Sequence, residues 1–264
     1  MLGAIIGDTI GSRFEWRNNK TKDFSLYSPR CHPTDDSVMT MAVAEALLKA
    51  KPDWSDLGQQ TVHAMQDWGN RYPNAGYGGT FVDWLQMLNP RPYNSWGNGA
   101  GMRVSPCAHA ARDLEEAKLL SRLVTEVTHN HPEGIKGAEA VTVGTFLALH
   151  GASRGEIRKA MEGYYDISFT LDDIRPDYSF DVSCMGSIPQ AIVAFLESTD
   201  FEDCLRCALS IGGDADTIAC MACAIGGAFY GVPEEIAGEV SIRYLRTDQR
   251  AIIKAFEERF PAKR

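Results

Sequence analysis

The chain has 264 residues, enough for one sizeable core, and its 44% hydrophobic and 23% charged residues are an ordinary globular mixture. A net charge of -9 and a pI near 5.2 exclude a protein that grips a phosphate backbone by general electrostatics, so nucleic acid enters only as a locally held, modified substrate. No run reaches the roughly 18 uninterrupted apolar residues of a membrane span, and no low-complexity tract, internal repeat or linker divides the sequence, so residues 1–264 are read as a single domain.

The opening stretch, Met1 to Gly11 (MLGAIIGDTIG), predicts a helix with Gly3, Gly7 and Gly11 on one stripe. Glycines at that spacing point to close helix–helix contact. A phosphate-binding loop is excluded because no Gly-Lys-Ser/Thr follows. Asp8 within the run and the lack of a basic leader argue against a secretory signal, and seven cysteines point to reduced thiols in the cytoplasm. Glu15 falls near the exit of this helix.

A loop from Asn18 to Pro33 leads into HPTDDSVMTMAVAEALLKA, where Pro33 ends the loop, Thr34 and Asp35 can cap, and Val38 to Leu48 has helical spacing. Further loops are expected at Tyr72–Gly79, Asn89–Gly101, His129–Gly134 and Asp172–Asp181, where Gly, Pro, Asn and Asp cluster. Between them, LEEAKLLSRLVTEV places Leu114, Ala117, Leu120, Val124 and Val127 on one side, while Glu139–His150 and Ser187–Glu197 read as mostly buried helices. Sustained period-two alternation is absent, so the expected class is all-α, with ten or more helices.

Near the end, Cys204-x₂-Cys207 and Cys220-x₂-Cys223 imitate a zinc pattern. Both pairs lie on helical faces among Leu, Ala, Ile and Met, which favours cysteine acting as a small buried hydrophobe. The spacer between the pairs carries Gly212–Ala219, GGDADTIA.

That segment repeats the chemistry of residues 34–36. Each cluster sets two Asp and one Thr within four positions ahead of an apolar helix. One carboxylate is an ordinary helix cap; two such clusters before core helices raise the question of what neutralises them. Oxygen ligands of this kind suit Mg²⁺, Mn²⁺ or Ca²⁺. An EF-hand does not fit, since counting from Asp214 puts Ala219 at the sixth position and no Glu at the twelfth. On spacing alone, a shared metal site and a pair of plain caps both remain open.

In order, GAIIGDTIGSRFE (3–15), PTDDSVMTMAVAEAL (33–47), GYGGTF (76–81), SWGNGAGMRVSP (95–106), THNHPEGIKGAEAV (128–141) and GGDADTIACMACAIGGAFYG (212–231) resemble the ADP-ribosylglycohydrolase family. That family includes the dinitrogenase reductase-activating glycohydrolase and the ADP-ribosyl-acceptor hydrolases. The resemblance implies a single-domain, all-α orthogonal bundle with a dinuclear metal centre at helix N-termini, holding two Mg²⁺ or, as an alternative, Mn²⁺. It implies Thr34, Asp35, Asp36, Asp214, Asp216 and Thr217 as ligands, Asp216 as the bridge, and Asp35 and Glu15 as catalytic carboxylates.

By the same resemblance, Gly78, Gly79, Gly97, Asn98, Gly99, Met102 and His129 line the substrate cleft, with the Gly97–Met102 backbone cradling a diphosphate. Tyr77 or Trp96 is a candidate adenine platform, and His131 is expected to make only a loop hydrogen bond. Gly101 departs from the small non-glycine residue frequent in the family, which would loosen its loop. The implied activity is hydrolysis of the bond between C1″ of the distal ribose of ADP-ribose and a protein or small-molecule acceptor, by a monomer. The alternatives are a regulatory protein that binds ADP-ribose without cleaving it and a plain helical metal-binding protein.

Overall fold

A computed structural model describes residues 1–261, and its described residues form fifteen helices with no strand. Numbered in chain order, the helices that position the cleft are α1 (Leu2–Gly11), α2 (Asp35–Lys49), α4 (Gly79–Leu85), α5 (Gly99–Met102), α8 (Pro132–Leu149), α11 (Cys184–Glu197), α12 (Phe201–Leu209) and α13 (Ala215–Tyr230). α13 is the axis of the core. Every residue from Ala215 to Gly226 is buried, against α1, α8, α11 and α12. A helix apolar on every side has to be enclosed this way.

The glycine stripe of α1 is what lets that helix lie against α13. A methyl group at Gly3 or Gly7 would collide with the carbonyl oxygens of Cys223 and Ala219, and one at Gly11 would fall 2.6 Å from the Asp216 Cα. Backbone therefore meets backbone along the whole of α1, and the register places the end of α1 beside the start of α13. The four cysteines of the zinc-like pattern are core residues. The thiols of Cys204 and Cys220 donate to the carbonyls of Ala222 and Met102, at 3.5 Å and 3.2 Å.

Local capping explains most of the boundaries. Thr34 caps α2 by accepting from the Asp36 amide, and His131 caps α8 by accepting from Glu133, which is the loop hydrogen bond expected of it. Two expected loops are shorter than their composition suggested. Thr170 and Asp173 form a reciprocal capping box that makes one helical turn, α10 (Leu171–Ile174), and Gly99–Met102 also closes a turn, α5. Gly101 does not loosen α5. The space that a side chain would occupy there is filled by Met221, Ile188 and Val141, the nearest atom 2.7 Å from where a methyl would sit.

Candidate active site

Three helix ends meet at the floor of a cleft of about 460 Å³. From α1 comes Asp8, in the second turn of a mostly apolar helix and fully buried. It accepts from the Thr34 amide at 2.9 Å, the Thr34 hydroxyl at 2.6 Å, the Ser37 amide at 3.1 Å and the Ser37 hydroxyl. Asp8 thus pins the start of α2 to the side of α1. α2 is tied to α13 in turn, because the Thr217 hydroxyl donates to Asp36 at 3.3 Å. Gly212 and Gly213, both at φ 71°, supply the left-handed turn that delivers Asp214 to the head of α13.

Thus the two acidic corners, 181 positions apart from Asp36 to Thr217, share one floor. Carboxylate oxygens of Glu15, Asp214 and Asp216 all lie within 4.8 Å of one another. Asp35 and Asp36 face the same cleft, and Asp214 is held by the side-chain amide of Asn98 at 2.6 Å. Among the residues expected as metal ligands, catalytic carboxylates and cleft-lining positions, all but Thr34 line the cleft: Glu15, Asp35, Asp36, Gly78, Gly79, Gly97, Asn98, Gly99, Met102, His129, Asp214, Asp216 and Thr217. Thr34 sits behind them with its hydroxyl committed to Asp8.

Burial dominates the electrostatics. It pushes Glu15 up to about 7, helped by repulsion from Asp214 and Asp8, and Asp35 up to about 8, helped chiefly by Asp8. Burial also drives Asp36 and Asp216 well above the usual carboxylate range, with Asp8 and Asp36 respectively adding to it. Asp8 and Asp214 move the same way, opposed by the hydrogen bonds each receives. None of the ion pairs among the described residues reaches any of these six carboxylates. Asp36 Oδ1 is buried without a hydrogen-bond partner. A pocket of acids with an orphaned oxygen and no paired cation is a donor set that fits hard divalent ions.

The walls differ in part from expectation. In the Gly97–Met102 segment the amides of Gly97, Asn98, Ala100, Gly101 and Met102 already donate to Ser95 Oγ or to backbone carbonyls, so that backbone offers few free N–H groups for a diphosphate. Gly78 and Gly79, at the start of α4, instead face open space. Tyr77 packs on Phe81 and is outside the lining, while Trp96 stands between the lining residues Ser95 and Gly97 and is exposed. Trp16 and Phe180, unforeseen, stack at 4.7 Å between ring centroids on the lip next to Glu15. Asp8 and Arg103 were also missed. A lone carboxylate inside a glycine-striped apolar helix was the signal for Asp8, whereas Arg103 carried none beyond its place in the GNGAGMR segment.

Fold and site together define an all-helical enzyme whose cleft is floored by clustered acids. The chain belongs to the ADP-ribosylglycohydrolase family, whose model matches residues 1–262. It is 25% identical to ADP-ribosylhydrolase ARH3 of Homo sapiens, over 89% of this chain and 85% of that protein. It is 26% identical to the ADP-ribosyl-[dinitrogen reductase] glycohydrolase of Rhodospirillum rubrum, over 91% and 87%, and 25% identical to ADP-ribosylarginine hydrolase Tri1 of Pseudomonas putida, over 88% and 70%. A solved chain of an ADP-ribosylglycohydrolase-related protein complex has the same fold, with a TM-score of 0.70 and 22% identity over 97% of this chain and 96% of that one.

Proposed function

We propose that this protein is a metal-dependent ADP-ribosyl hydrolase that cleaves the bond between C1″ of the distal ribose and its acceptor, working as one catalytic unit and as a cytoplasmic monomer. The observation that carries this reading is the convergence of the 34–36 and 214–217 clusters on one cleft floor. Asp35, Asp36, Asp214, Asp216 and Thr217, with Thr34 behind them, would hold two Mg²⁺ or Mn²⁺. When bound, such ions supply positive charge that offsets the buried acids, orders the ribose hydroxyls and makes a water more acidic.

The chain's own groups divide the remaining work. Asp35, at the first position of α2 and open to the cleft, accepts a proton from the attacking water. Glu15 stands on the lip with its pKa near 7, where one carboxyl can give or take a proton at neutral pH. The surrounding carboxylates stabilise positive charge that develops at the anomeric carbon. Asn98 keeps Asp214 in place, and Gly78 and Gly79 leave room for the substrate backbone to approach. The acceptor is a protein side chain or a small molecule; two of the relatives' names specify an acceptor, dinitrogen reductase in one and arginine in the other.

Those relatives are hydrolases by name, which favours the enzyme over a protein that only binds ADP-ribose. The test is release of ADP-ribose from arginine-, serine-, nucleobase- and O-acetyl-linked conjugates, each assayed with Mg²⁺, Mn²⁺ and chelator. Metal-dependent release from at least one conjugate is the expected result. Tight binding of free ADP-ribose with no release from any conjugate would make the protein a reader.

A further inference from the structure

His129 is a cleft residue whose proton is placed by two side chains behind it. Arg103 is fully buried and has no carboxylate within ion-pair distance among the described residues, although it lines the same cleft. Its guanidinium nitrogen Nη2 donates to the Thr128 hydroxyl at 2.5 Å and approaches His129 Nδ1 at 3.2 Å. Thr128 Oγ1 and His129 Nδ1 are 2.7 Å apart.

Chemistry fixes the direction of this chain. A guanidinium has only donors, so it accepts nothing from Thr128 or from the imidazole. With the Thr128 oxygen receiving the arginine's hydrogen, the hydroxyl's own hydrogen is free to point at Nδ1. A proton on Nδ1 would instead face an N–H of Arg103 at close range, and the ring's side-chain hydrogen-bond partners are Arg103 and Thr128, not any of the cleft's carboxylates. Nδ1 is therefore the acceptor, and the ring proton sits on Nε2.

Nε2 is the edge turned to the cleft. Methyl groups at Gly99 and Gly97 would lie 3.3 Å and 3.7 Å from it, so the two glycines open the space in front of that nitrogen. Tyr93 covers the ring from the side, at 5.9 Å between centroids, and the Arg103 guanidinium lies 5.9 Å over the Phe81 ring. Burial first, and then the Arg103 charge, hold the imidazole well below its ordinary pKa, which agrees with a neutral ring.

We propose that Arg103 and Thr128 are positioning residues that lock His129 as the neutral Nε2–H tautomer, so that the cleft offers one fixed N–H donor to an acceptor oxygen of the bound ADP-ribosyl group. The choice of ligand rests on the functional reading above; the tautomer does not. Buried donors of known direction are worth more to binding than groups that must reorient, because no ordering is left for the bound state.

The two parts are tested separately. In ligand-free protein labelled with ¹⁵N at histidine, long-range ¹H–¹⁵N correlation spectra read the tautomer directly, with His129→Gln used for assignment. The expected pattern is a protonated Nε2 and an unprotonated Nδ1, unchanged between pH 6 and 8. A proton on Nδ1, or conversion to imidazolium within that range, overturns the lock whatever the protein's activity.

For the ligand, calorimetric titration with ADP-ribose compares Thr128→Val, which removes the hydroxyl, with Thr128→Ser, which keeps it. Loss of one directed hydrogen bond should weaken binding about tenfold in Thr128→Val and raise KM more than it lowers kcat, while Thr128→Ser stays near wild type. Equal losses in the two variants, or none in Thr128→Val, would dismiss the relay as a route to binding.

Discussion

Asp8 accepts four hydrogen bonds from Thr34 and Ser37, and an asparagine there could accept with one oxygen only, while its NH₂ would face other donors. Leaving buried donors unpaired costs about 1–3 kcal/mol. Asp8→Asn should therefore lower Tm by several degrees in differential scanning calorimetry, and should weaken Mg²⁺ binding because the head of α2 loses its anchor. An unchanged Tm would mean that α2 needs no such tie. Asp35→Asn makes a different prediction: about a 10²- to 10⁴-fold loss of kcat even when Mg²⁺ is raised to saturate the weakened site, as expected for removal of a proton acceptor. Full turnover at intact metal loading would take Asp35 out of the chemistry. At this scale much of the site was legible, because acids beside a Thr at a helix start are chemically conspicuous. Asp8 and Arg103 were not, since one hides in an apolar repeat and the other acts through neighbours distant in sequence.

Among the elements, the contact of α1 with α13 sets the register of the acids. Gly7→Ala would push a methyl into the Ala219 carbonyl, and overpacking of that kind costs about 1–3 kcal/mol. The expected outcome is a lower urea midpoint together with weaker metal binding, because the displaced helix carries Asp8 and leads into Glu15. Gly79→Ala is the contrasting case. Nothing lies within 4 Å of the space its methyl would take, so stability should stay within about 0.5 kcal/mol of wild type, and any fall in kcat/KM reports crowding of the substrate. The helical class and the glycine stripe could be read from periodicity. The one-turn helices α5 and α10 could not, because four residues are too few to establish a period and their caps are made of the residues that usually signal a loop.

For the molecule as a whole, the buried acids couple folding to pH and, on the proposed function, to metal binding. Each has a folded pKa raised above its unfolded value, mainly by burial, so the folded state holds more protons than the unfolded state as pH rises past about 4. Metal-free protein should be most stable on the acid side of this window. It should lose stability as pH climbs through the values near 7 and 8 of Glu15 and Asp35. Saturating Mg²⁺ should flatten that slope, since cations bind the deprotonated acids and affinity rises with pH. Thermal melts from pH 5 to 8.5, with chelator and with Mg²⁺, check this; parallel curves would contradict it. That two clusters so distant along the chain would meet could not be deduced from either one, and only their repetition and the family's motif order hinted at it.

The lip carrying Trp16 and Phe180 is built differently from the floor beneath it. The floor rests on backbone in contact with backbone, where almost no substitution is tolerated without moving the acids. The lip is a pair of exposed rings borne on loops, Trp16 77% accessible, which can be exchanged without disturbing any helix. Entry of conjugates can therefore be retuned at Phe180 with the floor left as it is, whereas a change at Trp16 also reaches the machinery, because its side chain hydrogen-bonds Glu15.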